Sequence, residues 1–345
     1  MKTLQKIVNQ IFKSKLSLKQ FHNKKILVTG CNGFIASTFI RCFSEAMNQR
    51  NLKIFFYGIS RNKKINKYLK PLILKKNLMI KAVDLNKKIK LNFKPDLCFH
   101  CASITSPSKY LQKPIETIKT NLLGTINLLD FCVKKKVKKF IFLSSGEIYG
   151  NFGKIKTLKK FFNEDNYGII NPKIISSNYG LSKKVAENIL ISWSKKYGLK
   201  TNSIRLFHTY GPYMKLNDGR IHADVIGNIK NNTDIRLNGN LKIRRSFCYI
   251  SDVITGILTV MIKGEKNESY NLANPKETYN VFDFAKLALS LSKNNKIQIK
   301  CRRTNNRLDY NYPNPSVNKL KKLGWSPKIN IKQGLTDTIN FYKFN

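Results

Sequence analysis

The chain has 345 residues, 42% of them hydrophobic, which is enough to bury a large core in one large or two moderate domains. Its 64 Lys and Arg against 19 Asp and Glu give a formal net charge of +45, a balance that favours anionic partners. The lysines run through almost every segment, however, and no fingerprint of a DNA- or RNA-binding module occurs, so solvated lysine faces are expected rather than a nucleic-acid partner. Residues 1 to 23 contain no acid and place Leu4, Ile7, Val8, Ile11, Phe12, Leu16 and Leu18 at roughly helical spacing. That pattern predicts a basic amphipathic helix packed on the domain; a membrane-surface or transit segment is the alternative.

From residue 24 the pattern changes. "KKILVTG" (24–30) is a short aliphatic run ending on glycine, and "CNGFIASTFIRCFSEAM" follows with apolar residues at helical spacing. Further strands are predicted at 52–60, 78–85, 96–103, 138–145 and 200–208, with helices over 115–135 and 179–197. Such alternation predicts an α/β fold, a Rossmann-type doubly wound parallel sheet whose ligands sit at the carboxyl ends of its strands. Residues 24–211 are assigned to this dinucleotide-binding domain. Beyond 212 the pattern loosens, and residues 212–345 are expected to form mainly a smaller substrate-binding lobe. Seven cysteines at irregular spacings argue against a disulfide framework and for a reducing, cytoplasmic setting. Strand alternation in "DLCFHCAS" sends Cys98 and Cys101 to opposite faces, so no metal is expected there. No apolar run is long enough to span a membrane.

Two constellations carry chemistry. Gly30, Asn32, Gly33, Phe34 and Ile35 lie in a GxxGxxA turn between the first strand and helix, where backbone amides and a helix N-terminus can meet a pyrophosphate. The second strand ends on Ser60-Arg61, where an acid for a ribose hydroxyl pair is expected in an NAD site; this leaves NADP as an alternative to NAD. Asp84 and the adjoining Leu85 are candidates for the adenine edge. In "YGLSK" the four-residue offset puts Tyr179 and Lys183 on one helix face, and an ammonium near a phenol favours the phenolate. Ser145, ending the strand "FIFLSS", is placed to bond the same reacting oxygen.

With these residues in this order the chain resembles the extended short-chain dehydrogenase/reductase superfamily, in its nucleotide-sugar epimerase/dehydratase branch, over roughly residues 24–342. Within that branch "SPSKYLQKPIETIKTNLLGTINLL", "EDNYGIINP", "NDGR" (217–220), "RRSFCYISDV" (244–253), "YNLANPKE" and "KLKKLGWSPKINIKQGL" are similar to the UDP-glucuronate decarboxylases. The resemblance implies a catalytic group of Ser145, Tyr179 and Lys183, a nicotinamide cofactor reduced and reoxidised in one turnover, and a nucleotide-sugar substrate. Arg220 and Arg245 would bind that substrate, and a homodimer would form through the helices at 115–135 and 179–197.

All members of the branch would first make a 4-keto sugar; the next step depends on residues beside position 5. Dehydratases resemble one another in an Asp-Glu pair, and here those positions read Gly146-Glu147. The acid is missing and Glu147 remains, which fits decarboxylation with glycine in place of a small polar residue. Gly180, after the tyrosine, is similar to the epimerases, and the arginine segment of the decarboxylases is echoed only in Arg302, Arg303 and Arg307. UDP-glucuronate decarboxylation is therefore the leading expectation. A 4-epimerase or NADPH-dependent 4-keto reductase is the alternative, and a 4,6-dehydratase the weaker one.

Overall fold

The structure, a computed structural model, describes residues 2–150, 161–302 and 314–344. An N-terminal helix, α1 (Lys2–Lys13), precedes β1 (Lys24–Thr29), α2 (Phe34–Asn48), β2 (Ile54–Ser60), α3 (Lys70–Leu74), β3 (Leu78–Ala82) and β4 (Leu97–His100). There follow α4 (Pro107–Gln112), α5 (Pro114–Lys134), β5 (Lys139–Ser145), β6 (Phe161–Phe162), α6 (Asn178–Tyr197), β7 (Lys200–Leu206) and β8 (His208–Tyr210). The remaining elements are α7 (Ile221–Asn231), β9 (Ile235–Asn238), β10 (Arg244–Tyr249), α8 (Ile250–Lys263), β11 (Glu268–Leu272), β12 (Thr278–Asn280), α9 (Val281–Ser292), β13 (Ile299–Arg302), β14 (Asn314–Pro315), α10 (Asn318–Lys322) and α11 (Ile331–Lys343).

Seven strands form one sheet in the order β3-β2-β1-β4-β5-β7-β11, and every neighbouring pair is parallel. The order reverses direction between β1 and β4, which opens a crevice at their carboxyl ends. Because successive strand side chains point to opposite faces, each central strand feeds two cores. Ile26, Val28, Phe99 and Ile141 face a cluster that includes α2 and α8, whereas Leu27, Cys98, Phe140 and Phe142 face one built with α5 and α6. On the first side Phe39 packs on Phe43, Phe56 and Phe99 with centroids 5.4, 6.2 and 5.0 Å away.

The N-terminal helix packs on the body of the protein. Ile7, Val8 and Ile11 are buried in the cluster shared by α2 and α8, and Lys6 pairs with Asp337 at 2.6 Å. Among the described residues no helix is long and apolar enough to cross a membrane.

Two expectations shift in detail. The third and fourth strands stop short of the predicted 85 and 103, at Ala82 and His100. The fourth ends because the Cys101 and Ala102 N–H groups turn to the Thr29 hydroxyl, at 3.2 and 3.1 Å. Beyond residue 212, where mainly a substrate-binding lobe is expected, α8 and β11 pack on or pair with the main sheet, while β8, β10 and β12 form a small sheet beside the crevice. A continuous run of sequence could not reveal that pairing, since α8 and β11 look like any helix and strand.

Candidate active site

The crevice is held open at one end by a satisfied polar cluster. Thr125 Oγ1 donates to the Asn121 carbonyl at 2.6 Å, so at 3.0 Å from His100 Nε2 it must accept from that ring nitrogen. His100 Nδ1 is then the acceptor for the Thr29 hydroxyl 2.6 Å away, whose remaining capacity takes the Cys101 and Ala102 N–H groups. Burial holds the imidazole neutral, with its pKa down to about 3, and the nearby Lys183 charge acts the same way. This cluster ties β1 to β4 just where Gly30 turns away at φ +64°, and a Cβ on Gly30 would stand 2.9 Å from the Ala102 backbone. Only glycine combines that conformation with that approach.

Gly33 follows as the N-cap of α2, leaving the first-turn amides of α2 facing the crevice end. The Asn32 side chain is fully engaged: its Nδ2 donates to Ser60 Oγ at 2.8 Å and the Lys64 carbonyl at 2.7 Å, and its Oδ1 accepts from the Asn66 N–H at 2.9 Å. It therefore fastens the end of β2 and the loop after it to the glycine turn. Ser60 is buried and Arg61 exposed beside it. Asp84 lies beyond β3, where its carboxylate accepts from the Asn86 N–H at 3.0 Å, and the buried Leu85 offers its carbonyl to Asn127 at 2.8 Å. Neither lines the cleft that the catalytic candidates share.

That cleft brings together Ile35, Ser145, Glu147, Tyr179, Lys183, Arg220 and Arg245. Ser145 ends β5, and its Oγ accepts from the Glu147 N–H at 3.2 Å at the start of a short turn. Tyr179 and Lys183 come from the first turns of α6 and are both buried. Burial pushes the Tyr179 phenol up to about 12; its hydrogen bond with Ser145 opposes this, Glu147 adds to it and Arg220 opposes it. Lys183 Nζ does not meet the phenol as its main partner. It donates to the Leu143 carbonyl of β5 at 2.8 Å and stands 4.4 Å from the Phe142 ring centre. Burial lowers its pKa to about 7. Ser145 and Arg220 favour the phenolate of Tyr179 here, while burial weakens the charge of Lys183 itself.

Arg220 is paired with the buried Asp218 at 2.5 Å, which orients it along the cleft edge. Arg245 lies in β10 beside Arg244, whose Nη2 donates to the Thr278 carbonyl at 2.9 Å. Of the three arginines expected later in the chain, Arg302 is exposed at the end of β13; Arg303 and Arg307 lie outside the described residues. Sequence reading did not single out Tyr110, Phe207, His208, His222 or Arg244, which also line the cleft. Tyr110 stacks on Tyr179 with centroids 5.3 Å apart and planes 9° from parallel. Arg244 stood one residue from a named candidate; Tyr110 and His222 reach the cleft from α4 and α7, and Phe207 and His208 from the end of β7 and the start of β8, where periodicity does not mark a cleft-lining residue.

The residues present fit a dinucleotide. A close-approach glycine, a helix N-cap and a cleft continuing to Tyr179 and Lys183 form one path along the carboxyl ends of β1, β4 and β5. Among the described residues no three His, Cys, Asp or Glu converge as a metal site would need.

The NAD dependent epimerase/dehydratase family matches this chain over residues 26–273. UDP-glucuronic acid decarboxylase 6 of Arabidopsis thaliana is 30% identical over 315 residues, covering 91% of this chain and 87% of that protein. UDP-glucuronic acid decarboxylase 1 of Danio rerio is 29% identical, covering 94% and 74%. Among solved structures, UDP-glucose 4-epimerase of Thermotoga maritima, with UDP-glucose, is similar with a TM-score of 0.78 at 23% identity, covering 93% of this chain and 99% of that one. A dTDP-glucose 4,6-dehydratase from Streptomyces venezuelae with NAD bound has the same TM-score at 20% identity, covering 93% and 97%. These structures share the fold.

The buried lysine generates a test. Its pKa of about 7 in the folded chain lies below the ordinary 10.5, so between those values the unfolded chain binds the extra proton and stability rises with pH. Urea unfolding at pH 7 and near pH 10 should show a gain for the wild type that Lys183→Met lacks. Parallel profiles for the two proteins would contradict the assignment.

Proposed function

The chain belongs to the NAD-dependent epimerase/dehydratase family as a nucleotide-sugar enzyme, and from that premise we propose that it is a UDP-glucuronate decarboxylase, forming UDP-xylose and carbon dioxide. The observation that carries this reading is the charge of the cleft. Arg220, Arg244 and Arg245 line it, and among the described lining residues Glu147 is the one carboxylate. A substrate with a diphosphate and a second anion on the sugar suits that excess of cations. The segments after residue 212 supply Arg220, Arg244 and Arg245 and are assigned to the substrate, while residues 24–211 are assigned to the dinucleotide.

Gly30, Gly33, Phe34 and Ile35 would hold the cofactor at the glycine turn, with Asn32 and Ser60 closing its ribose end and Arg61 beside it; Tyr179 and Lys183 would meet its nicotinamide end. NAD held there would supply a reversible hydride acceptor for C4 of the sugar. Tyr179 receives the proton of the 4-hydroxyl as the phenolate; burial holds its phenol protonated in the free chain, so ligand binding must first draw off that proton. The resulting 4-ketone stands β to the carboxylate on C5, so the C5–C6 bond can break as carbon dioxide leaves and its electron pair is held as an enolate at the C4 oxygen. Ser145 and Tyr179 would bond that oxygen, and Glu147 would relay a proton to C5. Arg220 and Arg245 hold the anionic groups.

Gly180, the residue that is similar to epimerases, has a local cause: a Cβ there would stand 2.6 Å from the Glu147 carbonyl oxygen. Its identity therefore reports the close approach of α6 to the turn after β5 and says little about the reaction. We also propose a homodimer, supported by Ile115, Ile118 and Leu123 on α5 and Val185 and Ile191 on α6, apolar residues left exposed on two adjacent helices.

Incubation with UDP-glucuronate should release carbon dioxide, and Tyr179→Phe should lower the rate by about 10²-fold or more. Release that survives Tyr179→Phe at full rate sinks the mechanism, and absence of release from the wild type sinks the substrate. For the assembly, light scattering should give the mass of two chains, and the mass of one chain counts against the dimer.

A further inference from the structure

The empty position beside Glu147 is enforced by a ring from elsewhere in the chain. A Cβ built on Gly146 would lie 2.6, 2.8 and 3.0 Å from Cε1, Cδ1 and Cζ of Phe207, the residue that follows β7. Real Cβ atoms do not approach aromatic carbons so closely, so either the ring or the backbone must move. The ring packs on Phe162, 5.9 Å between centroids and tilted 47°, and on Tyr149, 6.3 Å and 23°. Tyr149 is itself fixed: its hydroxyl donates to Asn271 Oδ1 at 2.6 Å and accepts from Arg205 Nη1 at 2.8 Å. Arg205 is locked in turn by a buried pair with Glu187 at 2.8 Å. The direction left to the ring is the cleft that Phe207 lines, which is the space a substrate needs.

We infer that Phe207 is a specificity-determining residue: by occupying the side-chain volume of position 146 it keeps a second carboxyl out of the cleft and thereby bars water elimination. The inference rests on the proposed 4-keto chemistry. From a 4-keto sugar carrying a C6 hydroxyl, elimination removes the C5 proton and expels the hydroxyl with a second proton as water, leaving a C5=C6 bond. The hydride taken from C4 then adds to C6 and a proton returns to C5, giving a 4-keto-6-deoxy sugar. That step needs an acid beside the base, and Glu147 alone cannot hold both protonation states at once. With Phe207 in place, the cleft keeps a base and lacks the acid, so a sugar carrying a C5 carboxylate can react and one carrying a CH2OH group stalls at the ketone.

The test combines Gly146→Asp with Phe207→Val, measured singly and together on the full chain with NAD. Gly146→Asp should lower Tm by about 2–6 °C when Phe207 is present and by much less in the Phe207→Val background. With UDP-glucose, the double variant should form a product lighter by one water, which neither the wild type nor Gly146→Asp forms. Equal Tm losses in both backgrounds would show that the ring is no obstruction and overturn the inference. Relief of the Tm loss without any loss of water would overturn the claim that the ring selects the reaction. If Gly146→Asp fails to fold, Gly146→Ala with Phe207→Leu puts the same question to Tm alone, with equal losses again overturning it. Carbon dioxide release by the wild type from UDP-glucuronate is scored separately, so a failure of the decarboxylase reading is distinguishable from a failure of this one.

Discussion

The bond from Lys183 Nζ to the Leu143 carbonyl, 2.8 Å long and partly buried, is the contact on which the arrangement of the cleft depends. It joins α6 to β5 two residues before the strand ends on Ser145. One hydrogen bond thereby fixes the distance between the hydroxyl of the strand and the phenol of the helix. A buried amine is costly unless it is paired, and this one has a carbonyl and an aromatic face for partners. The same burial keeps its proton loosely held, so the group that orients the helix is also one whose charge can answer a bound ligand.

A second contact set ties α6 to β7 and to the turn after β5. Arg205 on β7 donates through Nε and Nη2 to Glu187 on α6, and through Nη1 to the Glu164 carbonyl at 2.7 Å and to Tyr149. Removing one member of such a buried pair typically costs about 3–5 kcal/mol, because the other charge is left without compensation. Glu164 contributes again through its carboxylate, which accepts from the Asn271 N–H of β11 at 2.7 Å. In a chain with 19 acids among 345 residues, two are committed to this network. The catalytic candidates are thus presented by a braced turn, not by a loose loop.

Much of this was legible in the sequence, for definable reasons. Residues such as Ile26, Leu27 and Val28 read as a strand because both faces are buried, and α5 and α6 read as helices because their apolar spacing is sustained. Ser145, Tyr179 and Lys183 could be named because their order along the chain mirrors their convergence at the carboxyl edge of the sheet. What periodicity could not give was the partner of each side chain. Asn32, expected near a pyrophosphate, has side-chain partners at the end of β2 and in the loop after it, and Lys183, expected beside Tyr179, has its bond to β5. Gly146 was visible as a departure, but its cause is Phe207, a neighbour in space supplied by the next crossover. Gly180 looked like a sign of the reaction and is explained by the nearness of the Glu147 backbone.

The central claim is that hydrogen leaves C4 and returns to C4 at one site built from Ser145, Tyr179 and Lys183. It is tested most directly by supplying UDP-glucuronate deuterated at C4 and locating the label after turnover. The account predicts UDP-xylose that retains deuterium at C4. Product carrying solvent hydrogen at C4, or deuterium recovered in released reduced cofactor, would contradict it.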